Sequence, residues 1–311
     1  LGHPLEKDPL SAHLFFYPAV EDEYGAVFVG WLWRNEAVSI QGGMNEHGLC
    51  YDLTGIPDTQ MADYPERTYQ WGPDWILYDV LRKNATVEEV IRYFSEVDWN
   101  GHVWFQWFFA DASGDMVVVS PNLEGELAFT RKPSSQDGYM TQTNFNRVNP
   151  KSHDGPYPCP RYERSTSILD TVHGGSEVTV HLALSVLDAV HRTGNYFTGY
   201  SNVFDPVKKK MHLVFLSQFD EVITIDVGEG LSIEEHRAIS MSSYFSERLV
   251  NSGMEYFRKF RRNAFVLNQL LPVTGIALVV GGGMTIGTVL LRRRLRYSKA
   301  RHNVAGTRST P

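Results

Sequence analysis

Between residues 13 and 55 aromatic and β-branched runs alternate with acidic or glycine-rich breaks, which predicts strands at residues 13–18 (HLFFYP), 26–33 (AVFVGWLW) and 48–55 (GLCYDLTG). The period then changes. Residues 74–83 (DWILYDVLRK) and 86–97 (TVEEVIRYFSEV) place apolar positions three and four apart, as a helix with one buried face requires. In the second, Val87, Val90, Ile91 and Phe94 form that face, and Thr86 with Glu89 has the spacing of a capping box. A hairpin follows, with Ala112, Ser113 and Gly114 between a strand ending near Asp111 and one over residues 116–119. Two more helices are predicted at 161–172 and 180–191, and the runs MHLVFLSQ and VITIDV read as closing strands. Strands, then helices, then strands again, without a βαβ rhythm or a long-period repeat, predict an α+β layered domain with antiparallel sheets.

Charge changes this picture at one end. From Tyr256 onward there are 11 Lys and Arg and no acid, so the other 18 basic residues face all 36 acidic ones. The front part is net −18 and the tail +11. An acidic main domain argues against nucleic-acid binding, which needs a basic face. In the tail, residues 263–291 carry no charge and include ALVVGGGMTIGTVLL, between Arg258, Lys259, Arg261 and Arg262 on one side and RRRLR on the other. An uncharged run longer than the roughly 20 residues that cross a bilayer predicts a single transmembrane helix at 264–291, with a basic linker at 256–263 and a basic tail at 292–311. Seven basic residues follow the span and four precede it, which puts the tail in the cytoplasm and the main domain outside. LPVTG, from Leu271 to Gly275, is similar to a sortase cell-wall sorting signal, a second way of handling the same segment.

Candidate chemistry is sparse. The 11 histidines show no HxxxH or HExxH spacing and the two cysteines no CxxC, so neither a local zinc site nor any other metal is expected. Cys50 sits in a predicted strand beside Leu49 and Tyr51, where a thiol is a packed small hydrophobe rather than a nucleophile. Cys159, among prolines before a helix, has no better local case.

Several stretches taken together, GGMNEHGLCYD, ADASGDMVVVSP, MTQTNFN, PCPRYERSTSIL and TGYSNVFDPVKKKMHLVFL, fall in the order and approximate spacing of the choloylglycine hydrolase group of N-terminal-nucleophile hydrolases. The chain resembles this group from Phe15 to about Leu231, and most resembles its linear-amide C–N hydrolases and its acyltransferases related to penicillin biosynthesis. The resemblance implies a four-layer αββα sandwich over residues 1–255, no metal or organic cofactor, and a small-molecule amide as substrate. It also implies attack by the thiol of the mature chain's first residue with that residue's own α-amino group as base, a pairing that suits neutral pH.

The sequence opens instead at Leu1, and the group's Cys, with the Arg and Asp that accompany it, has no counterpart here, so the sequence is expected to start downstream of the nucleophile. Two positions carry over. Asn144 in TQTNF matches the group's substrate-side Asn, a donor to the oxyanion or scissile amide, and Arg161 in CPRYER matches the Arg that organises the nucleophile's site. Arg164, one helical turn on, is a second candidate for the latter role. Where some relatives have a further oxyanion Asn this chain reads DLTG, so the Thr54 hydroxyl or the Gly55 N–H is expected as the substrate-binding donor. The expected function is hydrolysis of a linear amide C–N bond by a single-pass membrane protein, the alternative being a non-catalytic, membrane-anchored binding module.

Overall fold

The computed structural model describes residues 8–32, 37–67, 69–70, 75–99, 101–132, 138–151, 157, 159–193 and 197–265. The elements are, in order, β1 (Ala12–Tyr17), β2 (Ala26–Leu32), β3 (Val38–Asn45), β4 (Cys50–Met61), β5 (Tyr69–Gln70), α1 (Trp75–Lys83), α2 (Val87–Ser95), β6 (Val97–Asp98), β7 (Gly101–Ala110), β8 (Met116–Pro121), β9 (Leu127–Lys132), α3 (Pro160–Leu169), α4 (Val180–Val190), β10 (Tyr200–Asp205), β11 (Lys210–Phe215), β12 (Ile223–Asp226), α5 (Val227–Leu231), β13 (Arg237–Ser240) and α6 (Glu247–Phe265).

Eight strands form one sheet in the order β13-β1-β2-β3-β4-β7-β8-β9, and β10, β11 and β12 form another. All pairs in both sheets are antiparallel, because hairpin connections dominate. The two-residue strands β5 and β6 pair in parallel across α1 and α2. Pleating sends alternate residues of the large sheet to opposite faces. Phe15, Phe28, Tyr51, Trp107, Phe109, Val117 and Val119 form one face and pack in a single core with Leu77, Val80 and Leu81 of α1 and Val90 and Phe94 of α2. The predicted capping box holds α2 in place: the Glu89 N–H donates to Thr86 Oγ1 at 3.3 Å and the Thr86 N–H to Glu89 Oε2 at 3.2 Å.

The opposite face meets the small sheet. Trp31 of β2 lies against the Tyr200 ring of β10 with centroids 5.4 Å apart, and Asn202 of β10 donates its side-chain amide to Asp52 of β4 at 3.2 Å. Helix α4 covers β10 and packs against α3. The layers therefore run helix, sheet, sheet, helix, and the mixed sheet-rich architecture expected from the resemblance is present.

GGMNEHG proves to be an architectural turn. Asn45 is fully buried, its amide donating to the carbonyls of Leu81 and Asn84, both at 2.7 Å, while its oxygen accepts the N–H groups of His47 and Leu49, both at 3.0 Å. One side chain thus ties the β3–β4 turn to the end of α1. Gly48 completes it with φ +88°, and a Cβ there would lie 2.3 Å from the Pro206 carbonyl oxygen. Gly48→Ala is expected to lower the unfolding free energy by roughly 3 kcal/mol, from positive φ plus backbone overlap, as measured by urea denaturation. A loss under about 0.5 kcal/mol, the range of an ordinary surface change, would refute this account of the turn.

The chain divides into two compact units, Leu1–Glu255 and Tyr256–Pro311. The predicted basic linker at 256–263 is helical, within α6. Among the described residues no helix is long and apolar enough to cross a membrane. The span predicted at 264–291 lies, from residue 266 on, outside the described residues, as do LPVTG and the basic tail.

Candidate active site

Three predicted residues come together. Asn144, in the loop between β9 and α3, donates from Nδ2 to the Gly55 carbonyl at 2.8 Å and accepts at Oδ1 from Arg161 Nη2 at 2.5 Å. Arg161 lies in the first turn of α3, which Pro160 opens at a position where its missing N–H costs nothing. The guanidinium fixes which way the amide faces, since only the oxygen of Asn144 can accept from it. Arg164, one turn on, is exposed, whereas Arg161 is half-buried.

Gly55 lies where the β4–β7 ladder slips, between Gly55 and Thr59. Its carbonyl accepts from Asn144, a contact the sequence did not suggest. Thr54 pairs across the ladder with Gln106, so both side chains project from the same face. The Thr54 hydroxyl is buried and has no hydrogen-bond partner among the described residues, an unused donor next to Asn144's anchor.

Sequence reasoning missed Gln106, which is fully buried. Its amide donates to the carbonyls of Thr143 at 3.0 Å and Phe145 at 2.6 Å, and its oxygen accepts from Ser120 Oγ at 2.8 Å and the Arg147 N–H at 3.0 Å. Asn144 is therefore held between two residues whose carbonyls are clamped to the large sheet. Asn146 adds a second clamp, donating to the Pro121 carbonyl at 2.8 Å. The available signal was a lone Gln inside the aromatic run VWFQWFFA, a polar group that must find partners if the run is buried.

Cys50 is not part of this constellation. Its thiol donates to the Ala110 carbonyl at 3.4 Å, and burial, opposed by that bond and reinforced by Asp111 and Asp52, pushes it up to about 12. A thiol so placed stays protonated and inert at neutral pH.

Asp52, two residues before Thr54, stands between the sheets. Asp52 keeps an exposed surface, and it is the crowding of its carboxyl by the surrounding protein that pushes it up to about 6, against the pull of the Leu53 N–H at 2.7 Å and the Asn202 amide. The folded protein thus holds this proton more tightly than the unfolded chain, where the value is 3.8. Stability contributed by the protonated form is present below about 4 and is lost as pH rises through about 6, levelling above that. Urea unfolding across this range is expected to show that decline, and Asp52→Asn to flatten it. An equally steep decline in the variant would assign it to other groups.

Among the described residues no three His, Cys, Asp or Glu side chains converge as a metal site. Two surface clefts, of about 640 and 390 Å³, are lined by other residues, including Glu46 and Lys209 in the first and Asp226 and Arg237 in the second.

Comparison with solved structures bears on what such a site belongs to. Two variants of the conjugated bile acid hydrolase of Clostridium perfringens superpose with a TM-score of 0.59, at 14% and 15% identity, covering 78% of this chain and 92% of theirs. The chain shares the fold of that enzyme. Penicillin V acylase from Agrobacterium tumefaciens aligns with a TM-score of 0.52 at 18% identity over 74% of this chain and 84% of its own. Conjugated bile acid hydrolase, or choloylglycine hydrolase, gives its name to the group that the quoted stretches resemble. At such identity the likeness concerns the fold. No sequence family and no curated protein matches the chain.

Proposed function

We propose that this domain is the substrate side of an amidase that cleaves a linear acyl amide, with the thiol of an N-terminal cysteine outside the given sequence as nucleophile. The observation that carries the reading is the Arg161–Asn144–Gly55 chain, which orients a side-chain amide on an N-terminal-nucleophile hydrolase fold, with the unpaired Thr54 hydroxyl on the residue before Gly55. The thiol attacks the amide carbonyl carbon and its proton passes to the cysteine's α-amine. The carbonyl oxygen becomes an oxyanion, the charge that fixed donors stabilise most. Asn144 has two N–H groups and Gly55 takes one, so the second, with the Thr54 hydroxyl, serves the oxyanion. Collapse expels the amine with the proton held by the α-amine and leaves an acyl-thioester, which water hydrolyses. Arg161 acts through Asn144 and is a positioning residue.

The test is to express the chain extended at its N-terminus to the upstream cysteine, exposed as the first residue, and to assay amine release from a panel of N-acyl amines and acyl-amino acids. Turnover, with an acyl adduct on that cysteine by mass spectrometry, is expected. A folded, correctly processed protein that releases no amine from any member refutes the amidase. In the same reading the run at 264–291 anchors the domain in a membrane. Detergent is then needed to extract the full chain but not one ending at Asn263, and equal extraction of both removes the anchor.

A further inference from the structure

The cleft of about 390 Å³ is framed by β12, α5, the edge strand β13 and its neighbour β1, and shares no residue with the Asn144 constellation. Arg237 of β13 stands opposite Phe16 of β1 in the ladder, so both side chains leave the same face of the sheet. The guanidinium carbon lies 4.8 Å from the centre of the Phe16 ring. Gly230 of α5 closes onto the same ring, where a Cβ would be 2.7 Å from Phe16 Cε1. That missing Cβ lets α5 approach and brings the Gly230 carbonyl to Arg237 Nη2, the one hydrogen bond of the guanidinium among the described residues.

The cation is otherwise unmet. Its Nε is sealed from water without a partner, and among the described residues no carboxylate oxygen lies within 4.0 Å of its nitrogens. A partly buried arginine is ordinarily paired with a carboxylate, because a desolvated charge left alone is costly. Tyr244 lines the same cleft, close enough for the Arg237 charge to oppose the rise that burial gives its phenol.

Two acids line the cleft as well, yet neither pairs with Arg237. Asp226, the N-cap of α5, uses Oδ1 to accept the Glu229 N–H at 3.1 Å, and Oδ2 has no partner among the described residues. Glu229 is exposed. Charges of both signs that share a cleft without neutralising each other suit a ligand that carries both. A bare anion would gain Arg237 and meet two carboxylates, and a bare amine would gain the carboxylates and meet the guanidinium.

We propose that this cleft binds a free α-amino acid with an apolar side chain. Its carboxylate lies against the Nη groups of Arg237 and the Tyr244 hydroxyl, its ammonium against Asp226 and Glu229, and its side chain over Ile225 and Ile233. Pockets of this volume hold molecules of that size. The proposal does not rest on the amidase reading.

The experiment is calorimetric titration of the folded full chain at neutral pH with L-leucine, with N-acetyl-leucine, which lacks the ammonium, and with leucinamide, which lacks the carboxylate. L-leucine is expected to bind at least about tenfold more tightly than either. Arg237→Gln is expected to lose L-leucine binding. Arg237 also packs on Phe16 and Gly230, so Asp226→Asn and Glu229→Gln carry the test if that variant does not fold. Asparagine caps a helix as well as aspartate does. The two changes together are expected to weaken L-leucine by about tenfold and to leave N-acetyl-leucine no weaker than in the parent. No saturable binding of L-leucine, binding of N-acetyl-leucine or leucinamide as tight as that of L-leucine, or an L-leucine affinity unchanged in the double variant overturns the proposal.

Discussion

Gln106→Leu is expected to lower the unfolding free energy by roughly 2–4 kcal/mol, through buried groups left unpaired, and to abolish amide turnover by the extended chain. The residue is fully buried, and the leucine side chain offers neither a donor nor an acceptor. The carbonyls of Thr143 and Phe145 each keep one donor, because the Gln142 amide reaches them at 2.7 and 3.2 Å. The Ser120 hydroxyl and the Arg147 N–H both depend on the Gln106 oxygen, and those two desolvated donors set the magnitude. Ser120→Ala removes one donor together with its need and is expected to cost less than about 1.5 kcal/mol, the worth of a single bond. Gln106→Glu should be worse than leucine at neutral pH and partly recover in acid, since its carboxylate would face two carbonyl oxygens. Urea unfolding of the three variants decides the matter, and equal losses for serine and glutamine would show that Gln106 is not the hub.

The same residue shows why part of the site is legible in sequence and part is not. Residues 26–33 and 86–97 announce β2 and α2 because one face of each is buried, and burial imposes a period on the sequence. Strand β3 carries no such period. Its VSIQGGMN reads as an approach to a turn, yet Gly42 and Gly43 are in mid-sheet, where a Cβ would lie 2.9 Å from the Tyr51 oxygen and 2.8 Å from the Val27 oxygen. Close approach of strands, not a turn, selected those glycines. Residues 256–263, the later part of helix α6, read in sequence as a basic linker because Arg258, Lys259, Arg261 and Arg262 dominate them, although Phe257 among them is buried. Asn144 and Arg161 emerge from stretches whose order along the chain resembles a known group. Their joint, a hydrogen bond across 17 positions, has no local signature.

Asn144→Ala is expected to reduce kcat of the extended chain by about 10²–10³, the usual effect of losing one oxyanion donor, with KM changed little. The asymmetry follows from charge. Before attack the carbonyl oxygen is neutral and a donor to it is worth little, whereas in the transition state it carries most of a negative charge in a place poor in water. Asn144→Asp separates this role from packing. Its carboxylate keeps a partner in Arg161, so the fold is expected to hold, but it has no N–H and would turn an oxygen toward the Gly55 carbonyl. The two variants should therefore be equally inactive and differ in stability. Arg161→Lys keeps a charge but not the planar fork that orients the amide, and is expected to fall between them and the parent. Asn144 serves as a structural tie between β4 and α3 if Asn144→Ala keeps kcat within about threefold of the parent, far short of the effect of losing an oxyanion donor, and the donor must then be sought at Thr54, whose hydroxyl is already buried and unpaired.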